Sequence, residues 1–467
     1  MNSYQVAMPT TEPGHGTKMR SNTKETLVQL LRNIASPKEI DLYLKRFVDA
    51  EHTQFAVIKI GGAILQQELD SLCVSLAFLE RIGLFPILVH GAGPQLNQAL
   101  ANENLATTFV QGQRVTTPEV LRVAKRVFIE ENLRLATRLQ SLGIKTASIT
   151  QGVFKGEIEE QPATESLGLV GNVSELDLLP VQSAIELGAI PILSPIGENA
   201  LGQSLNINAD IATQALAKAL KPYKIIFLTQ TGGILNQDGA LISSINLATD
   251  YPKLLDQAWL TGGMALKLNQ IAALLEDLPE RSSVSITKPD QLAKELFTHR
   301  GSGTLVKKGE TIIEHQCLGS IDMPKLKALL ESSFEKALSP DYFAKLKFKR
   351  AYITECYRAA AIVTNEQGLN YLDKFVVCDD AKGEGLGKAL WHKLAQSNPQ
   401  LFWRATPSNP INAFYYNKAD GMQKTKGWHV FWLGQHDGDA IDKCIQCATG
   451  KAATLYKQEE VRYEKVV

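Results

Sequence analysis

The strongest constraint on this chain is a rhythm. From Phe55 to about Leu305, short apolar β-rich runs alternate with amphipathic helical stretches. Strands are expected at Phe55–Ile60, Phe85–His90, Thr146–Ile149, Ile190–Ser194 and Ile225–Thr229. Between them the 3.6-residue spacing predicts helices over Leu69–Arg81, Pro94–Ala101, Val120–Ser141 and Ala209–Leu220. Alternation of this kind implies an α/β class, with a mainly parallel open sheet between helices and ligands at the carboxyl ends of the strands.

The flanks differ. Leu27, Leu30, Leu31 and Ile34, then Ile40, Leu44 and Phe47, read as two helices broken at Ser36-Pro37. Residues 1–25 are polar, with Pro9, Pro13, Gly14 and Gly16, and read as a disordered lead-in, not a signal peptide. Arg300–Gly303 (RGSG) reads as a boundary and Lys307–Glu310 as a solvated turn. Beyond it come a helix at Met323–Phe334 and strands at Ala351–Glu355, Ala359–Thr364 and Tyr371–Val377. A glycine-rich turn then opens a helix through Leu394, a strand follows at Leu401–Arg404, and a short helix is expected at Ile411–Lys418. Strands before helix mark a second, α+β unit. The expected division is 1–25, 26–306 and 312–467.

Charge narrows the function classes. The 467 residues carry 49 Lys and Arg against 49 Asp and Glu, so the basic surplus that a nucleic-acid binder needs is missing. From Asp341 onward there are 18 basic against 14 acidic residues, a mild excess suited to a small anionic ligand. Six cysteines in so long a chain make no disulfide scaffold. Cys444 and Cys447 form one CxxC without a second pair, read as free thiols, and no metal site is expected. No apolar run is long enough to span a bilayer, and a cytoplasmic location is expected.

Two glycine turns directly follow strands: VIKIGG at Val57–Gly62 and LVHGAGP at Leu88–Pro94. Glycine there lets backbone N–H groups approach phosphate oxygens, and Lys59 sits at the strand end beside them. Neither run is GxxxxGK[ST] or GxGxxG, so neither a P-loop nor a dinucleotide site is supported. Further along, Arg114 in FVQGQRVTT suits bidentate carboxylate recognition. NINAD at Asn206–Asp210 opens a helix, LTQTGGIL spans Leu228–Leu235, and TGGMALK ends at Lys267.

Together and in this order these runs resemble the amino-acid kinase family, and within it acetylglutamate kinases, over about Thr26 to Val306. The resemblance implies that Lys59 and Lys267 neutralise charge on a phosphoryl group passing from ATP to a carboxylate, with Mg²⁺ on the nucleotide. It implies that Asp210 holds both lysines in register, that Gly61, Gly62, Gly91, Ala92 and Gly93 line the phosphate path, and that Arg114 and Asn206 hold N-acetylglutamate. Two positions depart from the pattern. Ala92 replaces the middle glycine of the second loop, where a methyl could crowd the backbone, and Gln230 stands where these kinases often carry Asp.

A second glycine cluster, KGEGLG at Lys382–Gly387, follows the strand YLDKFVV and opens the helix KALWHKL. Gly383, Gly385 and Gly387 at alternate positions make a pyrophosphate cradle of backbone amides. With YLDKF, LFWR and NPINAFYY, the region resembles the GCN5-related N-acetyltransferase domain of vertebrate-like N-acetylglutamate synthases. That resemblance implies acetyl-CoA at Lys382 and the three glycines, glutamate carboxylates at Lys374, Arg404 and Lys336, substrate contact at Asn409, and Tyr415 as the acid that meets the departing thiolate.

The pairing on one chain resembles the bifunctional bacterial family that joins these two steps of arginine biosynthesis. The alternative is a synthase alone, its kinase-like half a non-catalytic arginine-binding module. The helices of Lys24–Val48 resemble the arginine-site helix of regulated kinases of the family, which implies L-arginine inhibition and a homo-oligomer, expected to be a tetramer.

Overall fold

The computed structural model describes residues 24–33, 37–48, 55–110, 112–159, 167–260, 262–298, 301–382 and 385–457. The expected lead-in lies outside the described residues as far as residue 23, as does the break at 34–36; residues 24–31 are helical. The chain divides into two compact units. One runs to Ile245 and takes in Gln257–Lys308; the other joins Asn246–Asp256 to the chain from Gly309 onward.

The first unit is built on eight strands: β1 (Ala56–Ile60), β2 (Ile87–His90), β3 (Thr146–Ile149), β4 (Ile190–Leu193), β5 (Lys224–Leu228), β6 (Ser244–Asn246), β7 (Ser283–Thr287) and β8 (Thr304–Lys307). Their order is β6–β8–β7–β5–β1–β2–β4–β3. From β7 across to β3 all neighbours are parallel. Alternate side chains of β1 serve two cores. Ile58 and Ile60 pack with Leu65, Leu72 and Leu76, and the same core takes Leu31, Ile40 and Phe47 of the N-terminal helices. Val57 faces the other way, towards Ala212 and Leu216 of the helix Ala209–Leu220. Lys59 shares the Val57 face, and this parity decides which helix it can meet.

RGSG is no domain boundary. Past it the chain turns back as β8, antiparallel to β7 with Val306 opposite Val284. The turn expected to be solvated at Lys307–Glu310 is also corrected, since both end residues are 8% exposed. Lys307 closes β8, and Glu310 accepts a 2.6 Å bond from Arg358. A closed four-stranded barrel (Phe154–Ile158, Val170–Leu176, Ile196–Glu198, Ser204–Ile207) and the hairpin Phe109–Val110/Gln113–Arg114 carry no periodic signal strong enough to be read from sequence.

The main sheet of the second unit has seven strands among the described residues: β9 (Ile312–His315), β10 (Phe348–Thr354), β11 (Ala359–Glu366), β12 (Leu369–Val377), β13 (Leu401–Ala405), β14 (Gly421–Thr425) and β15 (Trp428–Leu433). They lie in the order β9–β10–β11–β12–β13–β15–β14. The helix Leu386–Ser397 covers one face through Leu390, Trp391 and Leu394, and Met323–Phe334 the other through Leu326 and Leu330. β12 and β13 run parallel and register only at Tyr371 and Phe402. Beyond that pair no ladder joins them, and their carboxyl ends lead to the glycine turn and to the helix Asn412–Tyr416. A bulge in β12 sets Ile362 opposite Lys374 and Val363 opposite Leu372, leaving Asp373 as the extra residue.

Candidate active sites

In the first unit the carboxyl ends of β1, β2 and β5 converge. Gly61 caps the helix Gly62–Gln67, and Ala92 caps Gly93–Asn102. The Gly91 N–H donates to the Ile60 carbonyl at 2.8 Å, which ties the two turns together. A Cβ on Gly62 would lie 2.9 Å from the Gly93 nitrogen and 2.8 Å from Gln95 Oε1, whereas Gly93 faces open space. Glycine at 62 is therefore required by the close approach of one turn to the other. The Ala92 methyl does not take part: it is 2% exposed and packs with Leu96, Leu100 and Val120. The anticipated crowding is absent because the methyl belongs to the core.

Lys59 Nζ lies 2.9 Å from Asp210 Oδ1. Asp210 is in the first turn of Ala209–Leu220, and the cap of that helix is Asn208, whose side chain accepts from the Asp210 N–H at 2.8 Å. The Asp210 carboxylate is thus left to the lysines. Lys267 Nζ sits 5.3 Å over the Phe227 ring, and Phe227 registers with Lys59 across β1 and β5. Burial lowers the Lys267 pKa, Lys59 lowers it further, and Asp210 acts the other way. Two cations and one carboxylate therefore share a field at the strand ends.

Arg114 is 9% exposed. Its Nη2 donates to Asn97 Oδ1, its Cζ lies 4.7 Å over the Phe109 ring, and its Nη1 is buried without a hydrogen-bond partner among the described residues. An unanswered guanidinium nitrogen fits a ligand carboxylate. Asn206 Nδ2 donates to Thr116 Oγ1 at 3.0 Å, and Thr116 Oγ1 donates to the Arg114 carbonyl at 2.9 Å. Gln230 is exposed and donates to Gln67 Oε1.

Sequence reasoning assigned nothing to His90, Gln95 or Asn97. His90 is fully buried, with Nε2 3.2 Å from Ser194 Oγ and 3.3 Å from Asn132 Nδ2. Burial drops its pKa to about 4, so the ring is neutral at pH 7. Gln95 Nε2 donates to the Gly62 carbonyl at 2.9 Å and to Glu131 at 3.1 Å, bracing the first turn. A histidine beside a glycine turn, and polar residues at the start of a helix, were the available signals.

In the second unit Gly385 adopts φ +83° and caps Leu386–Ser397, a backbone that only glycine adopts without strain. A Cβ on Gly387 would make only ordinary contact with Val377. Lys382 is exposed and paired with Asp379; Gly383 lies outside the described residues. Tyr415 is 6% exposed amid Trp391, Trp403, Phe375 and Phe431, and burial raises its pKa, which keeps the hydroxyl protonated.

Lys374 and Arg404, the two expected carboxylate clamps, both have partners within the second unit. Lys374 is buried with its ammonium 2.6 Å from Asp373 Oδ2 and 2.9 Å from Thr454 Oγ1, because the bulge turns Asp373 inward beside it. Arg404 donates to the carbonyls of Ala448, Lys451 and Ala452 at the end of the helix Gly438–Gly450 and stacks 3.9 Å over Trp428. Both charges are answered inside the fold. Asn409 Oδ1 accepts from the Ile411 N–H at 3.2 Å, shaping the turn before Asn412–Tyr416. Lys336 is exposed, just past the left-handed Glu335 that ends Met323–Phe334. Cys444 and Cys447 lie one turn apart on a helix, and burial pushes the Cys444 thiol up to about 11, unsuited to thiolate chemistry.

Such a sheet with paired glycine turns, followed by a splayed seven-stranded sheet with a left-handed glycine cap, defines a kinase-type α/β unit joined to an acyltransferase. Residues 54–284 match the amino acid kinase family, and residues 309–451 match NAT, the N-acetyltransferase of N-acetylglutamate synthase. The chain is 48% identical to the acetylglutamate kinase of Xanthomonas campestris pv. campestris, over 90% of this chain and 100% of that one. It is 35% identical to the human mitochondrial N-acetylglutamate synthase, over 91% of this chain and 77% of that one. A crystal structure of N-acetylglutamate synthase from Neisseria gonorrhoeae, complexed with coenzyme A and N-acetyl-glutamate, shares the fold with a TM-score of 0.58 at 18% identity, covering 85% of this chain and 98% of that one. The chain belongs to the amino acid kinase family, in the group that carries the synthase-type N-acetyltransferase domain behind the kinase domain. The two-domain, two-transferase reading of the sequence is borne out.

Proposed function

We propose that the chain acetylates L-glutamate with acetyl-CoA and phosphorylates the resulting N-acetylglutamate with ATP, the opening pair of steps in arginine biosynthesis. The observation that carries the kinase half is the Lys59–Asp210 pair with Lys267 in its field. Phosphoryl transfer asks the protein for positioning and charge neutralisation, and this cluster supplies both. The substrate's side-chain carboxylate attacks the γ-phosphorus, the bond to the β–γ bridging oxygen breaks, and ADP leaves. Lys59 and Lys267 meet the charge on the transferring group, the Gly61–Gly62 and Gly91–Gly93 turns face the phosphates, and Arg114 Nη1 holds the other carboxylate beside Asn206.

In the acetyltransferase half the neutral glutamate amine attacks the thioester carbonyl, the C–S bond breaks, the nitrogen gives up a proton to solvent, and Tyr415 donates a proton to the departing sulfur and is reprotonated from solvent. Lys382 and the Gly383, Gly385 and Gly387 turn would seat the coenzyme. No group of three His, Cys, Asp or Glu side chains is placed to hold a metal among the described residues. Mg²⁺ bound to the nucleotide would shield its phosphates.

We place the kinase domain at 26–306 and the acetyltransferase at 312–467, in the cytoplasm, as an arginine-inhibited homo-oligomer. The free thiols of Cys73, Cys317, Cys378, Cys444 and Cys447 suit a reducing compartment. A synthase whose kinase half only binds arginine is the competing reading, and Gln230 is the feature that favours it. Purified protein assayed separately with acetyl-CoA plus glutamate and with ATP, Mg²⁺ plus N-acetylglutamate separates them: silence in the second assay alone supports the competitor.

A further inference from the structure

We infer that Asn97 is a positioning residue for the kinase substrate, acting through Arg114. This rests on the kinase reading above. Arg114 reaches its place from a two-residue hairpin, an element too short to fix a long side chain. Its guanidinium is held instead by a face and an edge. Phe109, opposite it in the hairpin, lies 4.7 Å beneath Cζ, and Asn97 Oδ1 accepts from Nη2. Asn97 stands on the helix Gly93–Asn102, the one that begins at the second glycine turn. One helix therefore carries both the phosphate turn and the anchor of the carboxylate-binding arginine, which fixes the span between them.

The chemistry of the anchor matters. An amide oxygen orients Nη2 but brings no negative charge, so the positive charge stays available to a carboxylate at Nη1, the buried nitrogen without a partner. Asn97 itself is exposed, so its truncation spares the core.

The test is the KM for N-acetylglutamate in the kinase assay of the full chain, for wild type, Asn97→Ala, Asn97→Ser and Arg114→Leu. Asn97→Ala is expected to raise that KM about tenfold, the equivalent of about 1.4 kcal/mol. The KM for ATP, kcat and the acetyltransferase rate should stay within about twofold, and the short acceptor in Asn97→Ser should recover part of the loss. A merely structural Asn97 would move kcat and thermal stability together and gain nothing from serine. An unchanged KM in Asn97→Ala beside a raised KM in Arg114→Leu overturns this inference and leaves the kinase reading standing. A wild-type chain silent with ATP and N-acetylglutamate overturns both.

Discussion

Lys59 and Asp210 meet at 2.9 Å between the end of β1 and the first turn of Ala209–Leu220. Asn208 serves the helix N-terminus, so Asp210 is free to face two lysines. Asp210→Asn should cut the kinase kcat by about 100-fold and leave the acetyltransferase rate unchanged. Equal loss of both activities in the folded variant would contradict two separate sites.

Lys267 gives a pH prediction with opposite signs for rate and stability. Its cation is the working form, and burial with the nearby Lys59 lowers its pKa. The kinase rate should therefore fall as pH rises, beginning below the ordinary lysine value of about 10.4. Because the folded pKa lies below the unfolded one, the charged lysine costs stability, and that cost is relieved as pH rises through the folded pKa. Lys267→Met should abolish phosphorylation yet raise the thermal midpoint; calorimetry and the kinase assay read the two sides.

Gly62→Ala places a methyl 2.9 Å from both the Gly93 nitrogen and Pro94 Cδ. The turns must part, at a cost of about 1–3 kcal/mol, and phosphate alignment goes with them. Chemical denaturation and ATP titration would show a loss in both, with the acetyltransferase intact.

Asp373 is buried beside Lys374. Burial pushes its carboxyl pKa up, but the Lys374 charge and the hydrogen bonds from Lys374 and Tyr342 outweigh it and hold it below the usual range. Its contribution to stability is present above about pH 4 and is lost as pH falls through the depressed folded value. Asp373→Asn strands a buried ammonium and should cost about 3–5 kcal/mol at neutral pH. Acid titration followed by circular dichroism should then show a flatter profile for the variant than for wild type.

Tyr415→Phe keeps the ring in its aromatic cluster and removes only the hydroxyl. Acetyl transfer should slow by about 100-fold at an unchanged thermal midpoint, with phosphorylation unaffected. A normal rate would leave Tyr415 as a packing residue alone.

The elements that could be read from the chain were those whose pattern is local. Leu69–Arg81, Ala209–Leu220 and Met323–Phe334 have the ends their periodicity predicts. The barrel strands and β14 could not be read, because Gly156, Gly171 and Gly197 dilute their alternation and GMQKT is mostly polar. Lys59 stood out at a strand end before a glycine turn, whereas Lys267 and Asp210 were singled out only by the resemblance of their runs to amino-acid kinases, and the fold sets the three charges in one field. The partners of Lys374 and Arg404 could not be read, because nothing near them in sequence announces Thr454 or the carbonyls of Ala448 and Lys451.

What the amino-acid order determined by itself is the number of units, their classes and the glycine turns that follow their strands, since periodicity and glycine placement act over a few residues. Which partner each charge finds was decided only by the tertiary structure. A strand's parity turned Lys59 towards Asp210, a bulge turned Asp373 onto Lys374, and a helix end consumed Arg404. Burial makes each of those charges costly until a partner answers it, and the partner comes from a distant stretch of chain.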